Sequence, residues 1–125
     1  MRGKSEIIEV TISQLDWHII NQVKTLRKKK GISQDNLSVK IGFSEKFIGS
    51  IENPTAKKRF NIGHLNLLAK ALDCSLWDLV PETPFAEDYI KIKIRRTALP
   101  NDGKKLKGKT KLEILEAKPI KSKRF

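Results

Sequence analysis

The side chains of this 125-residue chain with the most capacity to act on a partner are its cations. Lys and Arg number 26 against 14 Asp and Glu, a formal net charge of +12. Such a bias in a small chain points to a polyanionic partner: nucleic acid, an anionic membrane surface or an acidic protein. Residue types suited to covalent or metal chemistry are sparse. Cys74 is the single cysteine and His18 and His64 the two histidines, with no spacing for a metal pair or a nucleophile–base constellation. No glycine loop could cradle a phosphate, and no carboxylate pair suggests acid–base work. The expectation is no enzyme, no metal and no cofactor. Cys74 reads as a buried structural thiol, and both histidines as core-edge or surface residues.

The stretch that could recognise a polyanion in detail is ISQDNLSVKIGFSEKFIGSIEN, residues 32–53. Ser33 is a helix N-cap candidate, with Leu37 and Ile41 on one face behind it. Gly42 breaks the run and can take a positive φ without steric cost. Ser44 is the cap candidate of a third helix carrying Phe47, Ile48 and Ile51 inward. Glu45, Lys46, Gly49 and Ser50 are then left on its exposed face. Lys46 can donate to guanine O6 and N7, Glu45 can accept from cytosine N4, and Ser50 can do either. Glu45 has a second reading, as an acid at the positive end of the helix dipole. Gly49 costs about 1 kcal/mol relative to Ala inside a helix, and would let the helix approach a groove floor closely. Two short helices across a tight turn form a helix-turn-helix, whose second helix enters a DNA major groove.

These helices need a supporting core. Leu15, Ile19, Val23 and Leu26 have helical spacing after the Ser13-x-x-Asp16 cap signature, so a first helix is predicted over about 14 to 30, closed by Gly31. Asn61 begins a fourth helix with Ile62, Leu65, Leu68, Ala69 and Leu72, and Ser75 a short fifth with Leu76, Leu79 and Val80. Trp77 is out of register with that stripe, and packs against the start of the first helix or enters a dimer contact.

Residues 17–80 resemble the Cro/repressor-type helix-turn-helix domain, the XRE family. The resemblance rests on Leu26-Arg27 with Gly31, Ser33-Gln34, Leu37, Ile41-Gly42, Ser44, Ile48, Ile51-Glu52-Asn53, the run Leu68-Ala69-Lys70-Ala71-Leu72, and Leu76 and Leu79. It implies base contacts from Glu45, Lys46, Gly49 and Ser50. It implies phosphate contacts from Ser33, Gln34, Ser44, Asn53, Lys57, Lys58 and Arg59, and an ion pair of Arg27 with Glu52 bracing the reading helix. Ser38 stands where the family usually has Ala, and Pro54 where Gly is common.

The charge is uneven: residues 1–85 are net +4 and residues 86–125 net +8. The break falls at PETPF, residues 81–85. In YIKIKIRR, residues 89–96, Ile90, Ile92 and Ile94 alternate with Lys91, Lys93 and Arg95, which reads as a strand. Its natural partner is the alternating Ile7–Ile12 segment, within one chain or across a dimer. Residues 111–115 form a candidate further strand, Asn101-Asp102-Gly103 a turn, and residues 119–125 a disordered end. The other reading of the tail is an unfolded polycation for nonspecific phosphate, RNA or lipid.

The expected architecture is therefore mainly α: an N-terminal strand or arm (1–13), a five-helix repressor-like helix-turn-helix domain (14–82), and a basic appendage (86–125), partly β or disordered. The expected function is a sequence-specific transcriptional regulator binding double-stranded DNA as a homodimer on a palindrome, of bacterial or phage type. The alternatives are an antitoxin-type autorepressor gripping a toxin through the appendage, or an RNA or protein interaction module acting through the basic tail. No apolar run approaches the ~18–20 residues of a membrane span, and the acids in MRGKSEIIEV disfavour a signal peptide. A cytoplasmic, nucleoid-associated protein is expected.

Overall fold

A computed structural model describes residues 5–98 and 110–121. The chain divides into two compact units, Ser13–Ala86 and a second made of Met1–Ile12 with Glu87–Phe125.

The first unit is helical. Helix α1 (Gln14–Lys29) starts where Ser13 Oγ accepts the Asp16 N–H at 3.0 Å. It ends in Arg27, Lys28 and Lys29, with Gly31 at φ +71° just beyond. Helix α2 (Gln34–Lys40) is capped by Ser33, whose Oγ accepts the Asn36 N–H. Gly42, at φ +90°, makes the turn to α3 (Phe47–Glu52). A 3₁₀ turn, Pro54–Ala56, leads through a basic loop to α4 (Ile62–Leu72). The core is built by Ile19 and Val23 of α1, Leu37 of α2, Ile48 of α3, Leu68, Ala69 and Leu72 of α4, with Ile41 and Leu79. Neither α2 nor α3 is long enough to hold a helical conformation alone, so this shared core holds both.

The last helix and the ends of two apolar stripes differ from expectation: Ile62, placed on the stripe of α4, is 85% exposed. The fifth helix is a single 3₁₀ turn, Leu76–Asp78. Only five residues separate Ser75 from Pro81, and proline disfavours helical backbone in the residue before it. Leu15, placed on the buried stripe of the first helix, is exposed.

The second unit contains β1 (Ser5–Ser13), β2 (Tyr89–Ala98) and β3 (Thr110–Ile120), in the order β1-β2-β3. The strand β2 pairs antiparallel with β3, with Ile92 opposite Ala117 and Arg95 opposite Glu113. A register shift after Lys93 makes Leu115 the extra residue of a bulge. Cross-strand ion pairs set Glu6 beside Arg96 and Glu9 beside Lys91, so β1 also runs opposite to β2. Ile90, Ile92 and Ile94 are buried, and so are Val10 and Ile12.

The fold is thus a four-helix helix-turn-helix unit with a three-stranded antiparallel sheet, not a mainly α five-helix domain. Strand β3 runs through Pro119 and Ile120, the start of the segment expected to be disordered. The turn expected at residues 101–103 lies outside the described residues.

Candidate nucleic-acid interface

The interface is organised around the buried end of α3. Arg27 Nε donates to Glu52 Oε2 and Nη2 to Oε1, each at 2.9 Å. The side chains are 7% and 3% exposed. A guanidinium fork on a carboxylate fixes both distance and plane. Arg27 Nη1 also donates to the Ile32 carbonyl at 2.9 Å, which ties the α1–α2 turn to the same pair. Gln34 Nε2 completes the group by donating to Glu52 Oε1 at 2.8 Å. Helices α1 and α2 therefore both converge on one carboxylate at the C-terminal end of α3.

The other end of α3 is held by Ser38. Its hydroxyl donates to the Gln34 carbonyl at 2.8 Å and accepts the Ile48 N–H at 2.9 Å. The first amides of a helix need acceptors from outside it, and the N-cap residue Lys46 supplies no side-chain bond. Ser38, fully buried, caps α3 from the neighbouring helix.

Helix α3 starts two residues later than its Ser44 signal suggests, with Lys46 rather than Ser44 at the N-cap. Ser44 gives its carbonyl to the Phe47 N–H, while Ser44, Glu45 and Lys46 stand exposed ahead of the helix. Ser50 is half-buried, and its hydroxyl donates to the Phe47 carbonyl at 2.8 Å. Gly49 departs from its expected place. A Cβ there would lie 3.0 Å from Gln34 Oε1 and 3.6 Å from its Cδ, so the bare side of this glycine faces α2. Gln34, expected to point at phosphate, lies across Gly49 with its amide on Glu52.

The loop after α3 carries the remaining cations. Asn53 Oδ1 accepts from the Thr55 N–H and Thr55 Oγ1, at 3.0 and 2.7 Å, which caps the 3₁₀ turn begun by Pro54. Lys57 follows in left-handed backbone, φ 62° and ψ 20°. Lys57 and Lys58 are exposed and Arg59 is half-buried. Among the described residues, Lys46, Lys57, Lys58 and Arg59 enter no ion pair. The loop is anchored at α4 by a reciprocal cap: Asn61 Oδ1 accepts the His64 N–H, and His64 Nδ1 accepts the Asn61 N–H at 3.0 Å. Phe43 and Phe47 set their rings 5.2 and 5.0 Å from the imidazole. Burial pushes the His64 pKa below its ordinary value.

The Cro/C1-type HTH DNA-binding domain family matches residues 22–81. This segment is a Cro/C1-type helix-turn-helix domain. A transcription factor from Neisseria shares 19% identity, over 54% of this chain and 76% of its own, with a TM-score of 0.49. The restriction-modification controller protein C.AhdI from Aeromonas hydrophila shares 26%, over 50% of this chain and 91% of its own, at 0.44. Hydroxypropylphosphonic acid epoxidase from S. wedmorenis shares 11%, over 73% of this chain and 64% of its own, at 0.51, a likeness of fold alone. Comparison with curated protein sequences finds no match.

Within the Cro/C1-type domain, two residues that the sequence reading named take roles it did not assign them. Ser38 had a usable signal: a hydroxyl on the buried face of α2, one turn after Gln34. His64 had one too, as the third residue after an Asn cap, where a side-chain acceptor closes a capping box. Trp77 takes neither helix 1 packing nor the core. It is 81% exposed and, with Ile62, Leu65, Asn66, Leu76 and Val80, lines an apolar groove of about 390 Å³. No helix among the described residues is long and apolar enough to cross a membrane, and no group of three His, Cys, Asp or Glu among them could hold a metal ion.

Proposed function

We propose that this chain is a sequence-specific DNA-binding transcriptional regulator that sets α3 into the major groove. The observation that carries this reading is the braced α2–α3 pair: α3 is fixed at both ends, with Ser44, Glu45 and Lys46 exposed ahead of it. On this reading Glu45, Lys46 and Ser50 address base edges. Ser33 and Ser44 address phosphates on one side, and the Asn53 amide, Lys57, Lys58 and Arg59 those on the other. Gly49 serves the reading by admitting Gln34 rather than the groove floor.

The proposed assembly is a homodimer on a palindrome, with half-sites about one helical turn apart. The groove at Ile62, Leu76 and Trp77 suits such a contact, because its lining is uncharged on a chain of net charge +12. A second protomer meets less repulsion there than on the cationic surface. Whether the regulator represses, and whether it grips a toxin, are refinements of the same reading.

Selection from a random duplex DNA pool at near-physiological salt tests it. The expected outcome is an enriched palindrome. Lys46→Ala should then relax discrimination at one base position by about 1–3 kcal/mol. Binding with no enriched sequence would sink the reading.

A further inference from the structure

The Gln34 side chain is engaged within the domain, between α2 and α3. Its carboxamide is held by one hydrogen bond, from Nε2 to Glu52 Oε1 at 2.8 Å, and its Oε1 lies 3.0 Å from the point where a Cβ on residue 49 would stand. The acceptor, Glu52, is 3% exposed and already fixed by the Arg27 fork. Turning the carboxamide outward would withdraw one of three N–H donors from a buried carboxylate. One turn further along α2, Ser38 holds the Ile48 N–H. The side of α2 facing α3 therefore carries two keys, a hydroxyl at the N-terminal end of α3 and a carboxamide lying across Gly49. The second sits where a Cβ on residue 49 would come within 3.0 Å of it, so a side chain there would press on the carboxamide.

We infer that Gln34 is a positioning residue, which sets the seat of α3 on α2 through Gly49 and so contributes to sequence discrimination without touching the DNA. The inference rests on the DNA-reading function proposed above. It assigns residue 49 a role as well: the glycine is a socket for Gln34, and a Cβ there forces the carboxamide or the helix to give by a few tenths of an ångström.

The test uses the full chain as wild type, Gln34→Ala, Gly49→Ala and the double variant. Each is measured on the selected palindrome and on a scrambled duplex at one salt concentration. Gly49→Ala is expected to lower the ratio of the two affinities by roughly tenfold, the factor that 1.4 kcal/mol represents, with little change on the scrambled duplex. Gln34→Ala is expected to lower the same ratio. The double variant is expected to lose less than the sum, because Gln34→Ala removes the atom that a Cβ at 49 strikes. Equal loss of affinity for both duplexes in Gln34→Ala would make it a phosphate contact and overturn the inference. Strict additivity of the two substitutions would overturn it as well.

Thermal unfolding of the same four proteins tests the contact whatever the chain binds. Gly49→Ala should be more favourable in the Gln34→Ala background than in wild type, by roughly 3–6 °C in Tm. An equal effect in both backgrounds overturns the socket. Should Gly49→Ala fail to fold in the wild-type background, its recovery in the Gln34→Ala background is the expected result and its continued failure the contrary one. A wild type that enriches no sequence overturns the DNA reading itself. A selective wild type whose variants keep its ratio overturns this inference alone.

Discussion

At the scale of single residues, two positions near the interface carry a conformational or ionisation cost that can be measured. Lys57 holds left-handed backbone, which costs an L-residue about 1–2 kcal/mol and glycine almost nothing. A lysine at such a point trades stability for a cation. Lys57→Gly should therefore stabilise the fold by about 0.5–1 kcal/mol in denaturant unfolding, part of the gain being offset by the freer unfolded chain. It should also make the salt dependence of DNA binding shallower by about 0.9 in log–log slope, if Lys57 neutralises one phosphate. The second position is His64. Its Nδ1 accepts the Asn61 N–H, which only the neutral ring can do. Burial lowers its pKa in the folded state below the ordinary 6.5. The unfolded chain therefore takes up a proton before the folded one does. The cap contributes fully above pH 6.5 and is progressively lost as the pH falls below it. Unfolding measured at pH 7.5 and pH 5.0 should show this loss, and His64→Gln, which can cap without titrating, should flatten it.

At the scale of elements, α3 is the dependent part. It has six residues, no side-chain cap of its own, and a glycine in its middle. Its conformation is imposed from α2 by Ser38 and Gln34 and from α1 by Arg27. Ser38→Ala removes the acceptor of the buried Ile48 N–H, so it should destabilise the domain by about 1–2 kcal/mol. Amide exchange should place the opening of α3 among the first affected. If the cost were within a few tenths of a kcal/mol, another acceptor would be serving Ile48. The fifth expected helix makes the complementary point: Pro81 left room for one 3₁₀ turn, and Trp77 consequently stands outward beside Ile62, 81% and 85% exposed.

At the scale of the whole molecule, the decisive matter is where the net charge of +12 is available. The sheet consumes much of the charge on β2. Lys91 meets Glu9, Lys93 meets Glu116, Arg95 meets Glu113 and Arg96 meets Glu6. Exposed pairs of this kind contribute little to stability, with a median of about 0–1 kcal/mol. They do, however, neutralise the strand as a polycation. Lys58 in the helical unit has no such partner among the described residues. Lys58→Ala should therefore reduce the salt slope of DNA binding by about 0.9, whereas Lys93→Ala should leave it nearly unchanged. Equal reductions would mean that the sheet also lies on phosphate.

The sequence by itself determined the local elements and the family. Apolar residues at helical spacing, Ser and Asn caps and the glycines at 31 and 42 specify α1, α2 and α4, because each signal acts within a turn or two of chain. Alternating Ile and Lys specify β2 for the same reason. The fork between Arg27 and Glu52 was legible only through the resemblance, since nothing local links residues 25 positions apart. The tertiary structure alone decided where short-range signals compete or are lacking. It withdrew Ser44 as the cap of α3 and supplied Ser38 from another helix. It turned Gly49 toward Gln34 instead of outward, and it matched the cations of β2 to glutamates on both neighbouring strands. Each of these depends on which side chains meet across elements, and that is fixed by packing of the core rather than by spacing along the chain.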